Sequence, residues 1–508
     1  MAPAWLQQAR VSSCASVWTT RYKDKVAVRK PRLALWAFLA MGGLVWFLTS
    51  RATVPASERE NVRRRHEGPI ATVPLPSDPW APTRAALKAT LRGAFRAYHS
   101  HAWGMDEYFP VQQRGKNTFG GKGLTIIDSL DTLYLMGLRE EYEWGRAFVN
   151  ASFAFTGPVN VFENTIRVLG GLLSAYTLTD DAVFLRRAEE VGRVLLRAFH
   201  PPNPVPCGTL VVEAPSSCGF QAWANGQNAV VAEVGTLSLE FKALSHLLGD
   251  TDWSDRIDAL TSFWEERRSE LLHMFVAFEP PHTASGKVTI GGGVDSTYEY
   301  FVKLSLLAAD TRNRELYERA EDLMIAQLLV NDTHHVYFKE SQVDGKFEHL
   351  SCFVGGMLLL GGRNAELGLR LTETCVNLYF ANPSGLACDS VRFQRDGATQ
   401  CLDDRYLLRP ETVESVFYAW RHTHDPKWRT YAARIWDAIQ RHCVVPSGGF
   451  TDVRGVTTET PQPTDMQESW FLAETIKYLW LTFSEDDVLS LDDYVLTTEA
   501  HPLRKFAK

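Results

Sequence analysis

The sequence predicts an all-α protein built from consecutive helical hairpins. Apolar residues recur at three- and four-residue spacing along most of the chain beyond residue 82, and long alternating strands are absent. Helix pairs follow one another near 163–199, 230–275, 296–330, 349–380 and 410–443, with turn-rich stretches between them and no clear repeat linking one pair to the next. Hairpins strung along one chain can close into an α/α toroid or stack as an open solenoid, and local periodicity leaves both open.

The chain has a distinct N-terminal region. Residues 1–32 carry Arg21, Lys23, Lys25, Arg29, Lys30 and Arg32, ahead of the uncharged run "LALWAFLAMGGLVWFLTS" at 33–50. That run is about eighteen residues long, near the lower limit for a spanning helix. The flanking cations predict a cytosolic tail, a single membrane-spanning signal anchor of type II orientation, and a lumenal remainder. A cleaved signal peptide is the rival, but the run is long for one and no clear small-residue cleavage site follows. Residues 51–82, rich in proline and charge, read as a stem, which leaves 83–508 as the lumenal domain.

Within that domain "TRAALKATLRGAFRAYH", "DDAVFLRRAEEVGRVLLRAF", "EVGTLSLEFKALSHLLG", "RELYERAEDLMIAQLLV", "KWRTYAARIWDAIQRHC" and "ESWFLAETIKYLWLTF" all carry helical spacing. The first helix of several pairs opens on an acid: Glu163, Glu233, Asp295, Glu348, Glu411 and Glu468. If alternate helices point the same way, these starts gather at one end.

The formal net charge of −7 provides no general basic field, so nucleic acid is not an expected partner. Seven of the eight cysteines lie beyond the apolar run and form no CxxC pair, which suits disulfides in an oxidising lumen better than zinc. The odd number leaves one thiol over, expected at Cys443, and short spacing suggests Cys207 with Cys218 and Cys388 with Cys401. Asn150-Ala-Ser152 and Asn331-Asp-Thr333 are glycosylation sequons.

Taken singly, a first-turn acid is explained by the positive N-terminus of its helix. The neighbours add something. Arg167 lies one turn after Glu163, Arg409 stands two residues before Glu411, Gly291-Gly292-Gly293 precedes Asp295, and Phe162, Tyr298, Tyr300, Trp470 and Phe471 are close in sequence. Acids, arginines and aromatic faces together make a sugar site, and glycoside hydrolysis uses a protonated carboxyl and a second carboxylate. Residue chemistry alone thus leaves a carbohydrate-active enzyme and an α-helical lectin or scaffold both standing, with retention and inversion equally open.

"GLTIIDSLDTLYLMGL" (123–138), "FENTIRVLGGLLSAY" (162–176), "VDSTYEYFVK" (294–303), "HLSCFVGG" (349–356), "LLRPETVESVFYAW" (407–420), "ESWFLAETIKYLWLTF" (468–483) and "TTEAHPL" (497–503) together resemble the class I α-mannosidases of glycoside hydrolase family 47. The resemblance runs in order from about Arg84 to Leu503. It implies an (α/α)7 barrel, inverting hydrolysis of α-1,2-linked mannose from high-mannose N-glycans in the endoplasmic reticulum or Golgi, and bound calcium. Glu163 matches the family's general acid, Glu411 its base, and Asp295 a third essential carboxylate sometimes argued to be the acid. Arg167, His349, Arg409, Glu414, Trp470, Glu474 and Gly293 match substrate-site positions, with Glu468 and Glu499 nearby, and Thr498 matches the calcium-binding threonine. Cys352 and Cys375 match the disulfide of the processing enzymes, which the family's degradation-enhancing, lectin-like branch generally lacks. Two positions depart from the pattern: Trp470 replaces a familiar phenylalanine, and Gly293 replaces the arginine of the endoplasmic-reticulum type, a change expected to broaden branch selection. A monomer is expected.

Overall fold

Two kinds of helix alternate along the chain, and their burial sorts them into two layers. The computed structural model describes residues 78–506 except 225, 227, 284–285 and 341–344. In chain order its main helices are α1 (Ala81–Ala102), α2 (Leu124–Leu135), α3 (Arg139–Ala151), α4 (Gly170–Thr179), α5 (Ala182–Leu196), α6 (Ser238–Leu248) and α7 (Asp252–Glu265). They continue with α8 (Asp295–Ala308), α9 (Thr311–Gln327), α10 (Phe353–Gly361), α11 (Ala365–Phe380), α12 (Glu411–Thr423), α13 (Pro426–His442) and α14 (Ile476–Phe483). Even-numbered helices are buried over most of their surface, as in α2, where every residue from Leu124 to Leu133 is buried. Odd-numbered helices bury a single stripe, as α5 does through Phe184, Ala188, Val191, Gly192 and Leu195.

Each even helix packs on the next even one, from α2 to α14, and the segment Phe471–Thr475 leading into α14 packs back on α2. The ring therefore closes. Among the described residues seven inner helices are backed by seven outer ones, and α1 completes the outer layer by packing on α14. This decides for the toroid over the solenoid. The cost of bringing α1 to α14 grows only slowly with the length of chain between them.

Turns at the two ends of the ring differ, and this difference positions the cavity. Inner helices α4, α8 and α12 end on the left-handed residues Asp180, Ala309 and His424. The next residue in each case, Asp181, Asp310 or Asp425, caps the following outer helix by accepting from a backbone N–H. Connections from outer to inner helices are longer and carry three-stranded antiparallel sheets, such as Lys346–Glu348 with Ser390–Phe393 and Thr399–Asp403. They end where the inner helices begin, so the acid-first starts share one end. A C-terminal hairpin, Tyr494–Leu496 with Pro502–Arg504, packs on α8 and α4 and brings the turn Thr497–His501 inside the ring.

Three disulfides are formed, Cys207–Cys218, Cys352–Cys375 and Cys388–Cys401, and Cys443 is a buried free thiol, all as expected. Cys352–Cys375 ties the start of α10 to its outer partner α11. Asn150 and Asn331 are exposed. No helix among the described residues is long and apolar enough to cross a membrane. The expected anchor at 33–50, the tail before it and nearly all of the stem lie outside the described residues.

Candidate active site

The starts of the inner helices and the C-terminal turn enclose a cavity of about 150 Å³. Its lining includes six carboxylates (Asp295, Glu299, Glu411, Glu414, Glu474, Glu499) against two guanidinium groups, Arg167 and Arg409, with Trp470, Phe162 and Phe353 supplying aromatic surface.

Local structure explains the placement. Asp295 and Glu411 are the first residues of α8 and α12, where unsatisfied N–H groups favour an acid. Leu408, held at a φ of 57°, precedes Arg409, and its carbonyl accepts from Thr475 Oγ1 while the Leu407 carbonyl accepts from Trp470 Nε1. Two inner helices are entered through π-helical turns, Asn164–Leu169 and Phe471–Thr475, which carry Arg167 and Glu474. Such widened turns recur at functional sites.

On one side Arg167 Nε donates to Glu163 Oε2 at 2.9 Å and Nη1 to Glu499 Oε2 at 2.5 Å. Opposite, Arg409 Nε donates to Asp389 Oδ1 at 2.5 Å, while Nη1 stands 3.8 Å from Glu411 Oε1. Glu411 Oε2 is buried with no hydrogen-bond partner among the described residues. Burial raises the Glu411 carboxyl above its ordinary value, and Arg409 opposes that rise. Among the described residues the Asp295 carboxylate accepts hydrogen bonds from Ser296 alone and forms no ion pair, and burial pushes it up to about 7. At the floor, burial and the neighbouring Glu499 raise Glu474, burial raises Glu499 against the opposing charge of Arg167, and burial raises Glu414 despite Lys303 at 3.5 Å.

Of the site residues expected from sequence, Asp295, Glu411, Arg167, Arg409, Glu414, Trp470, Glu474 and Thr498 line the cavity. Glu163 does not line the cavity but pairs with Arg167, which does. His349 lies deeper in the wall, its Nε2 paired with Thr412 Oγ1 at 3.0 Å, and burial together with the charge of Arg409 pushes its ring down to about 3, so it is neutral. Gly293 does not line the cavity. Its φ of +96° is one that only glycine adopts freely, and a Cβ there would come within 2.7 Å of Met274. Sequence reasoning missed Glu299 and Lys303. The i, i+4 spacing of Asp295, Glu299 and Lys303 along α8 was the available signal.

These features match a known family. The model of glycosyl hydrolase family 47 matches residues 90–505. The chain belongs to that family. Mannosyl-oligosaccharide 1,2-alpha-mannosidase IB of Mus musculus is 36% identical over 449 residues, covering 83% of this chain and 69% of the relative. The endoplasmic reticulum mannosyl-oligosaccharide 1,2-alpha-mannosidase of Homo sapiens is 38% identical over 443 residues, covering 81% of this chain and 62% of the relative. Among solved structures, an alpha-1,2-mannosidase from Trichoderma reesei superposes with a TM-score of 0.77 at 26% identity, over 84% of this chain and 99% of that one.

A resident cation is the remaining question. The cavity that Thr498 lines also carries Glu299, Glu414, Glu474 and Glu499, and neither histidine nor cysteine lines it among the described residues. An oxygen-only set with excess negative charge fits a hard cation such as calcium and fits zinc or copper poorly.

Proposed function

We propose that this family 47 glycoside hydrolase removes terminal α-1,2-linked mannose from high-mannose N-glycans with inversion. The cavity carries the reading: six carboxylates with two arginines and Trp470 line it, in a chain whose relatives are named for that activity. In this reading residues 33–50 anchor the protein in the endoplasmic reticulum or Golgi membrane, with 83–508 lumenal and monomeric. The Cys352–Cys375 bridge favours processing over the lectin-like alternative.

Glu411 is the base. Its free Oε2 can take a proton from water as that water attacks the anomeric carbon, and Arg409 together with the N-terminus of α12 supports the carboxylate. The acid side has two carboxylates in different settings. Asp295, which forms no ion pair among the described residues, keeps a proton near neutrality and supplies it to the leaving oxygen. Glu163, paired with Arg167, orients the leaving group. Trp470 and Phe162 offer faces to the sugar ring.

Calcium would be held by Thr498, with Glu299, Glu414, Glu474 and Glu499 around it. When bound, it supplies positive charge that gathers sugar hydroxyls. Glycine at 293 serves the turn before α8, so branch selection is better read from products than from Gly293→Arg. Digestion of a labelled nine-mannose glycan by the full chain, with and without exhaustive chelation, tests the reading. Mannose release that stops on chelation and returns with calcium supports it, whereas binding without release would point to the lectin.

A further inference from the structure

Beneath the cavity lies a chain of buried charges that ends on Arg167 and whose other members take no part in the proposed reaction. Its centre is His501, which is fully buried. The ring's Nδ1 is 2.7 Å from Asp131 Oδ2 and its Nε2 is 3.1 Å from Asp128 Oδ1. A neutral imidazole has one N–H, so two carboxylate contacts call for the doubly protonated ring.

The chain continues in both directions with alternating sign. Asp131 Oδ1 pairs with Lys477 Nζ at 2.8 Å, and Ser174 Oγ donates to Asp131 Oδ2 at 2.8 Å. Asp128 Oδ2 accepts from Ser469 Oγ and faces Arg167 Nη1 at 3.6 Å. Arg167 then holds Glu163 and Glu499. Five groups therefore run from Lys477 through Asp131, His501 and Asp128 to Arg167, each beside a charge of opposite sign. Apart from Arg167, none of them lines the cavity.

We propose that His501 is a positioning residue: by fixing Asp128 against Arg167 it sets the orientation of the Glu163 carboxylate on the leaving-group side. The inference rests on the hydrolase reading for its kinetic consequence, but its geometry does not. A role confined to stability would require only that the hairpin turn be held, and that turn has ties of its own. Lys477 Nζ donates to the Ala500 carbonyl at 2.7 Å, Lys303 Nζ to the Thr497 carbonyl at 3.1 Å, and the His501 backbone N–H to Thr497 Oγ1 at 3.1 Å.

The test is a double-mutant cycle in the full chain, reading kcat and KM on a nine-mannose glycan. His501→Asn should lower kcat about tenfold with KM little changed, because misorientation penalises the reacting geometry more than binding. In a Glu163→Gln background the same change should cost less than about twofold, since its route to the reaction is already cut. An equal cost in both backgrounds, or a kcat loss no larger than the fall in folded fraction, overturns the proposal. If wild type releases no mannose, the hydrolase reading has failed, and hydrogen exchange at the Arg167 Nε–H in arginine-labelled protein decides instead. Faster exchange in His501→Asn than in wild type supports the positioning role, and unchanged exchange overturns it.

Discussion

The cavity and the charge chain beneath it are both built around buried charged side chains and behave in opposite ways. In the chain each buried carboxylate meets a cation or hydroxyl, and although burial alone would raise the Asp131 carboxyl, Lys477 and His501 hold it well below the usual range. In the cavity, carboxylates outnumber guanidinium groups, Asp295 and Glu411 are pushed up, and Glu411 Oε2 has no partner among the described residues. A saturated network holds geometry, whereas an unsaturated one is left with bonds to make to sugar, water or cation.

Four changes put that contrast to the test. Glu411→Gln should have the largest effect, cutting kcat by about 10²–10⁴-fold while glycan binding persists, because the amide keeps the shape and cannot take the proton. Near-normal turnover with normal binding would remove Glu411 as base. Asp131→Ala should instead act on the fold, costing about 3–5 kcal/mol in urea unfolding by stranding Lys477 and His501 without their carboxylate. A loss well under 1 kcal/mol would deny that the lower network is saturated.

Replacing Cys352 and Cys375 together by alanine should cost on the order of 3 kcal/mol through loop entropy. Peptide mapping without reductant checks the bridge directly. The smallest effect is a pH response that should be confined to the cavity. The Asp295 carboxyl is raised to about 7, so the needed proton is present below that pH and activity falls as pH rises through it. Glu411 must be ionised, so activity also falls toward acid, at a pH above its ordinary 4.5. The same raised Asp295 value means that folding favours its protonated form, so its contribution to stability declines between about pH 4 and 7 as pH rises. Asp295→Asn should remove the alkaline limb from whatever activity is left; a limb that persists would assign it elsewhere.

The sequence was most readable where structure is local. Helical spacing and acid-first starts identified Asp295 and Glu411, and both proved to open inner helices that line the cavity. Closure was not readable, because the pairing of α1 with α14 joins the two ends of the domain and leaves no trace in periodicity. His349 shows a second limit: its position is near the site in sequence, but a 3.0 Å contact with Thr412 places it in the wall behind. The charge chain escaped because Asp128, Asp131, Lys477 and His501 come from three separate segments, each unremarkable alone. Glycine at 293 has a backbone reason, its φ of +96°, that composition does not reveal.

Proton NMR of the sugar released from an α-1,2-mannose-terminated glycan tests the central claim most directly, because it reports where water attacks. A base at Glu411 and an acid on the opposite side predict β-mannose as the first product, with α-mannose appearing only as the anomers equilibrate. The appearance of α-mannose first would contradict the direct attack of water and the role given to Glu411.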